Sequence, residues 1–311
     1  MTAPVTVRVR VPASSANLGP GYDAFGLALA LYDDFEAVHA DAWFLEVSGE
    51  GAGELRTDGD NEVARAIQRV FAEVGYTGAA RIRCENAIPV GRGLGSSAAA
   101  IVGGLLLGNE LADAGLSNER LFELGAELEG HPDNVAAALF GGFTVCWRDG
   151  DTPRVRRIEP GGGLAAVVAL SDAVLPTSEA RQALPETVPH EDAAANVARA
   201  SLVALGVALG DEPMLSAGLH DRIHEPYRAA LIPDMAEIRD VLVSSGACGA
   251  ALSGAGPTVI GLVSGATDDD ALVRARGVAD TAHARIVATS GNRRIMAVGV
   301  ERVGTQIVCE G

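Results

Sequence analysis

The stretch Pro89-Val-Gly-Arg-Gly-Leu-Gly-Ser-Ser-Ala-Ala-Ala100 constrains this chain more than any other. Three glycines within five residues open into two serines and then a small, apolar run, Ala98 to Leu107. The residues before it, Ala80 to Ile88, read as a strand, so the loop joins a strand to a helix N-terminus. Such a terminus leaves its first N–H groups unpaired and carries partial positive charge, which suits a phosphate. Glycine lets the backbone approach a ligand with no Cβ in the way. Glycine-rich turns are also plain backbone punctuation, and Gly91, Gly93 and Gly95 do not fit the Gly-x-Gly-x-x-Gly spacing of a dinucleotide site. Ser96 and Ser97 favour the ligand, because two hydroxyls at a helix start can serve a phosphate oxygen and a metal.

The chain has no lysine; all 24 of its basic residues are arginine. That excludes the nucleotide loop ending in Gly-Lys-Ser/Thr, Schiff-base chemistry, and any kinase mechanism built on a catalytic lysine. A net charge of −17 argues against nucleic acid as a partner, since a phosphate backbone demands surplus cations. It leaves room for a small anionic ligand held by local arginines. At 48% hydrophobic and 21% charged residues over 311 positions, a packed protein of two lobes is expected. No apolar run reads as a membrane span, and the opening residues lack the basic-then-apolar pattern of a signal peptide, so a cytoplasmic location is the expectation. Cys84, Cys146, Cys248 and Cys309 show no paired spacing, which points to neither a disulfide frame nor a zinc site. His220 and His224 stand four apart, but no third ligand is marked near them.

Val5, Val7, Val9 and Val11 alternate with polar residues as in a half-buried strand that Pro12 ends, and a turn-rich loop follows over Ser14–Asp23. A helix is expected from Asn61 to Val74, with Asp60 as cap and Gly75 as stop. Further helices are expected from Ser117 to Glu129 and from Val135 to Phe140, then a strand through Trp147. Arg148 to Gly163, polar and rich in Gly and Pro, is the expected boundary, dividing the chain into residues 1–155 and 156–311. Beyond it come a strand over Leu164–Leu170, helices over Ala193–Leu209 and around Met235–Leu242, and a hairpin-like stretch over Gly249–Val263. A helix over Asp268–His283 and a strand over Arg294–Val300 complete the chain. Strands and helices alternate irregularly, so the class is α+β.

Three distant segments resemble the motifs of one family, the GHMP kinases. Pro89 to Ala99 is similar to its phosphate loop, and Gly249-Ala-Ala-Leu-Ser-Gly-Ala-Gly-Pro-Thr258 to its third motif. Pro12-Ala-Ser-Ser-Ala-Asn-Leu-Gly-Pro-Gly-Tyr-Asp23 resembles the first motif as found in the family's homoserine-phosphorylating branch. Glu129-Gly-His-Pro-Asp-Asn-Val135, Pro176-Thr-Ser-Glu-Ala-Arg181 and Asp221-Arg-Ile-His-Glu-Pro-Tyr-Arg228 resemble further segments of that branch. Ala137 stands where proline is frequent, and Tyr22 where phenylalanine is frequent. The resemblance implies a two-lobed fold, with a ribosomal-S5-domain-2-like N-terminal lobe and a ferredoxin-like C-terminal lobe. It also implies transfer of phosphate from ATP, with Mg²⁺, to the hydroxyl of L-homoserine in threonine biosynthesis, and it suggests a homodimer. The competing readings are another small-molecule kinase of the family, acting on an isoprenoid alcohol, and a non-catalytic nucleotide-binding regulator that has kept the loops.

Residue by residue, ATP is expected along Pro89, Val90, Gly91, Arg92, Gly93, Leu94, Gly95, Ser96, Ser97, Ala98 and Ala99, with Gly254 and Gly256 from the third motif and Asn61 at the adenine. Ser97 and Glu129 are expected to hold Mg²⁺, with Glu127 as the competitor; residues two apart on a helix do not face the same way. Arg181 and Arg228 are candidates for the substrate carboxylate, since a guanidinium matches it with two parallel hydrogen bonds; surface ion pairing is the bland alternative. Asp23 would hold the ammonium or hydroxyl, or merely form a turn. Asn17, His131, Asn134 and Thr177 complete the substrate side. Asn134, Asp133 and Arg181 are the expected catalytic residues. Other family members carry an aspartate near this turn as general base; with Asn134 in that place, direct attack on the γ-phosphate is expected.

Overall fold

Alternation of Val7, Val9 and Val11 with Arg8 and Arg10 makes a strand with one buried and one solvent face, and β1 (Thr6–Ala16) buries those valines. Its arginines pair with acids directly across the register in β2 (Phe25–Ala40), Arg8 with Glu36 and Arg10 with Asp34. Pro12 does not end the strand. The register shifts between Pro12 and Ala13, and the irregularity accommodates a residue without an N–H, so β1 runs on to Ala16. The computed structural model describes residues 6–289 and 293–310, so Val5 lies outside the described residues.

The chain continues through β3 (Phe44–Gly49), α1 (Glu62–Val74), β4 (Ala79–Asn86), α2 (Ser96–Leu111), α3 (Asn118–Glu129), α4 (Asp133–Phe140), β5 (Phe143–Asp149) and β6 (Thr152–Ile158). Asn61, not Asp60, caps α1: its side chain accepts from the Val63 N–H, and Gly75 ends the helix in the left-handed region. Then come β7 (Gly163–Ser171), α5 (Thr177–Gln182), α6 (His190–Leu209), α7 (Glu212–Gly218), α8 (Glu225–Arg228), α9 (Met235–Ser244), β8 (Gly249–Leu252), β9 (Val259–Gly265), α10 (Asp268–Thr289), β10 (Arg293–Gly299) and β11 (Gln306–Glu310).

A seven-stranded sheet has the order β11-β1-β2-β4-β3, with β5 joining β2 and β6 joining β5. A four-stranded antiparallel sheet has the order β10-β7-β9-β8. The expected division at residue 155 therefore falls inside a strand: Ile158 pairs with Phe143, and the polar stretch after Trp147 is the edge strand β6. The larger sheet also regains residues 306–310 through β11, which pairs with β1.

All but the last residue of β7 is buried, because its two faces serve two cores. Leu164, Ala166, Val168 and Leu170 join the core beneath the larger sheet, with α1, α2 and α4. Ala165, Val167 and Ala169 join a second core with α9 and α10. The apolar α2 is sunk in the first core from Ala98 onward, which fixes its N-terminus in space. By length and composition α6 is apolar enough to cross a bilayer, contrary to the expectation that no run is; it carries Arg199 at mid-length and packs on α7. Cys84, Cys146 and Cys248 are free and buried, while the Cys309 side chain lies outside the described residues.

Candidate active site

The three motif segments interlock through hydroxyls. Gly93 and Gly95 both take left-handed backbone, at φ 83° and 71°, and neither position has room for a side chain. A Cβ on Gly93 would lie 2.3 Å from the Ser253 carbonyl oxygen, and one on Gly95 would lie 2.1 Å from Ser14 Oγ. Ser253 Oγ donates to the Gly93 carbonyl at 2.5 Å and sits 2.8 Å from Ser15 Oγ. The Leu94 carbonyl accepts from the Ser14 N–H. The extension of β1 beyond Pro12 is what brings Ser14 and Ser15 here; they and Ser253 are loop-shaping residues that motif reading did not single out.

Gly95 is the N-cap of α2 and offers no side-chain acceptor. The first N–H groups of this helix therefore stay open for an anion. Two cavities meet there. The larger, about 490 Å³, is bounded by Phe35, Val47, Leu55, Val63 and Val90; the smaller, about 130 Å³, by Asn17, Asp23, Asn134, Arg181 and Arg228. Gly91, Ser96 and Ser97 belong to both walls. Gly254 and Gly256 line the smaller one, whereas Pro89, Arg92, Leu94, Ala98 and Ala99 line neither; Ala98 and Ala99 face the core. Asn61 borders the larger cavity, but both ends of its amide are engaged, Oδ1 with the Val63 N–H and Nδ2 with the Arg56 carbonyl. Its local role is that of a cap.

In the smaller cavity Arg228 is 2% exposed. Its donors reach the Ala180 carbonyl (3.2 Å), the Gly254 carbonyl (3.2 Å) and His224 Nδ1 (3.1 Å), and among the described residues it has no carboxylate partner. Burial lowers its pKa and Arg181 nearby adds to this, while Tyr22, Asp23 and Asp221 offset the loss only in part. His224 Nε2 faces the Gly19 carbonyl at 2.7 Å, which calls for a proton on Nε2, and Nδ1 faces the Arg228 donor, which calls for an acceptor there. Arg181 and Asp23, expected to grip opposite ends of a substrate, are joined directly, Nη2 to Oδ1 at 2.7 Å and Nη1 to Oδ2 at 3.1 Å. Burial opposes the Arg181 charge, but Asp23 outweighs it and the pKa is raised. Thr177, exposed at the start of α5, lines the same cavity.

Asn17 is a strut. Its Oδ1 accepts from the Asp23 N–H and its Nδ2 donates to the Gly254 carbonyl. That holds Asn17, Leu18 and Asp23 in left-handed conformations, which non-glycine residues keep only when neighbours over-determine them. Asp133 Oδ1 accepts from the Asn134 N–H (2.8 Å) and from His131 Nδ1 (3.0 Å), so its carboxylate is tied to the turn. Burial works against a charged His131, but Asp133 and Glu129 prevail and its pKa is raised. Asn134 Oδ1 accepts from Ser14 Oγ, which leaves the Nδ2 donors without a partner among the described residues.

Ser97 Oγ donates to Glu129 Oε2 at 2.7 Å. Burial raises the Glu129 pKa, and His131 Nε2 lies 3.7 Å from its Oε1. Glu127 is exposed and pairs with Arg69, which removes it from the site. Glu62, which no motif marked, borders a cavity of about 210 Å³ with Ser97 and Glu129. Among the described residues no three His, Cys, Asp or Glu side chains are grouped to hold a metal. An ion that takes most of its ligands from phosphate and water needs no such cage, so the Glu129 carboxylate, its side chain 10% exposed, fits one.

The fold and these loops define a small-molecule kinase. The model of the GHMP kinase N-terminal domain matches residues 61–142, and that of the C-terminal domain residues 193–278. Homoserine kinase of Streptomyces avermitilis is 44% identical over 85% of this chain and 87% of its own length. That of Clavibacter michiganensis is 42% identical over 98% of this chain and 95% of its own. The crystal structure of homoserine kinase from Cytophaga hutchinsonii superposes with a TM-score of 0.85 at 25% identity, covering 97% of both chains. This chain belongs to the GHMP kinases and, within them, to the homoserine kinase family.

Proposed function

We propose that this chain transfers the γ-phosphoryl group of ATP to the side-chain hydroxyl of L-homoserine, giving O-phospho-L-homoserine. One observation carries the reading: two cavities share the open N-terminus of α2, and the smaller holds a buried guanidinium with no carboxylate of its own. The triphosphate would meet the first N–H groups of α2 and the hydroxyls of Ser96 and Ser97. Mg²⁺ would be held by Ser97 and Glu129, with Glu62 beside them, and would neutralise phosphate charge. The amino acid's carboxylate would take Arg228 and the open edge of Arg181, and its ammonium the Asp23 side.

Asn134 Nδ2 can donate to the reacting hydroxyl oxygen and orient it, but an amide takes no proton. Asp133, fastened to His131 and its own helix, is not poised as a base. The proton therefore leaves late, to a phosphate oxygen or to water, and positioning with charge stabilisation supplies the rate. A coupled ADP-release assay with homoserine, with mevalonate and with no acceptor tests the reading. ADP is expected with homoserine alone. Turnover of mevalonate instead would favour an isoprenoid-alcohol kinase, and silence with every acceptor a nucleotide-binding regulator.

A further inference from the structure

Arg181 offers five N–H donors, and Tyr22 and Asp23 occupy three of them. Nη1 donates to the Tyr22 hydroxyl at 2.9 Å and to Asp23 Oδ2, while Nη2 donates to Asp23 Oδ1. The remaining donors are Nε–H and the second Nη2–H, which lie side by side on one edge of the planar fork. They have no partner among the described residues, and they form the one edge still able to take a carboxylate with two bonds. Asp23 alone grips the guanidinium end-on, a grip about which the group can rock. The phenol, bonded to the outer Nη1–H, removes that freedom.

The Tyr22 ring also sits against both cations, 5.7 Å from Arg181 Cζ and 5.6 Å from Arg228 Cζ, and 5.3 Å from the His224 ring. Burial, with Asp23 behind it, raises the phenol pKa, so the hydroxyl stays neutral. Tyr22 is not among the residues that line the smaller cavity, so it reaches a ligand there only through the arginines.

We propose that Tyr22 is a positioning residue for the amino-acid carboxylate: its hydroxyl holds Arg181 with the Nε/Nη2 edge open, and its ring sets the spacing of the two guanidinium groups. Phenylalanine, frequent at this place in the family's first motif, would keep the ring and lose the lock. The proposal rests on Arg181 and Arg228 receiving the carboxylate, and a separate variant tests that premise.

The experiment is a double-mutant cycle of Tyr22→Phe and Arg181→Lys, read by steady-state kinetics and by calorimetric titration of homoserine. Tyr22→Phe alone should raise the KM for homoserine about fivefold to tenfold, the value of one charge-assisted hydrogen bond only partly lost. Its kcat should stay within about twofold, and its KM for ATP should not move. In the Arg181→Lys background, where there is no edge to aim, Tyr22→Phe should change homoserine affinity by less than about twofold. An equal factor in both backgrounds, or no change in the single variant, overturns the proposal. An unchanged homoserine KM in Arg181→Lys alone overturns instead the premise that Arg181 binds the carboxylate, which no result with Tyr22→Phe can imitate.

Discussion

Replacing Gly93 by alanine tests whether the phosphate loop and the third-motif loop must lie in contact for catalysis. The new Cβ would lie 2.3 Å from the Ser253 carbonyl oxygen and 2.9 Å from that of Gly256, both backbone atoms that cannot swing aside. Ordinary van der Waals contact begins near 3.4 Å, so the Ser253 strand end must retreat by about 1 Å. The retreat breaks the hydrogen bond from Ser253 Oγ to the Gly93 carbonyl. A displacement of about 1 Å in a positioning element is enough to cost about a hundredfold in rate. The backbone itself adds strain, since φ is 83° there. Gly115→Ala separates the two effects: its φ is 62°, but nothing lies within 4 Å of its added Cβ. Gly115→Ala should lose about 1–2 kcal/mol of stability in a thermal melt, the left-handed penalty of an L-residue, and Gly93→Ala more, by its clash and the lost hydrogen bond. Only Gly93→Ala should lose kcat, by about a hundredfold, in ADP release at saturating homoserine and ATP. A kcat for Gly93→Ala within about threefold of Gly115→Ala would show that contact between the loops is not what positions the phosphate.

Arg228→Lys keeps the charge and loses the fork, so the KM for homoserine should rise at least tenfold while that for ATP stays within about twofold; equal rises in initial-rate measurements would remove Arg228 from the carboxylate site. Glu129→Gln should raise the Mg²⁺ concentration needed for half-maximal rate about tenfold or more, and Glu127→Gln should leave it unchanged; a metal titration of each variant decides between them. Asp133→Asn should spare most of kcat, and a collapse with homoserine binding intact would restore Asp133 as the base. Asp33, buried beneath the Ala87 and Ile88 N–H groups, has its pKa pushed up by burial to about 6. With the folded value above the unfolded one, its contribution is present below pH 4 and lost as pH rises through about 6, at a cost of about 2–3 kcal/mol. Asp33→Asn should therefore gain on the parent in melting temperature between pH 4 and pH 7, and a constant difference would refute the assignment.

The phosphate loop and the long apolar helix after it could be read directly, because glycine spacing, hydroxyls and an unbroken apolar run are local signals. Pro12 misled because a missing N–H normally stops a strand, and a bulge in the partner register is invisible in one sequence. β6 reads as a linker since Thr152-Pro-Arg-Val-Arg-Arg-Ile158 is an edge strand with little to bury. Within the site, motif spacing located Ser97, Glu129, Arg181 and Arg228 but could not tell which polar groups neutralise one another. The Arg181–Asp23 pair bridges 158 residues, and only packing decides that Asn17 and Asn61 hold backbone. Glu62 carries no sequence signal, since a glutamate in the first turn of a helix is ordinary.

The strand formed by residues 306–310 has a bearing on biosynthesis. Among the described residues it alone covers the outer edge of β1, the strand that delivers Ser14 and Ser15 to the glycine-rich loop. A nascent polypeptide emerging from the ribosome thus carries an unprotected ribbon until residues 306–310 have followed. A nonsense mutation shortly upstream of Gln306 would consequently yield a sticky fragment prone to edge-to-edge association, even with both cavity walls already translated.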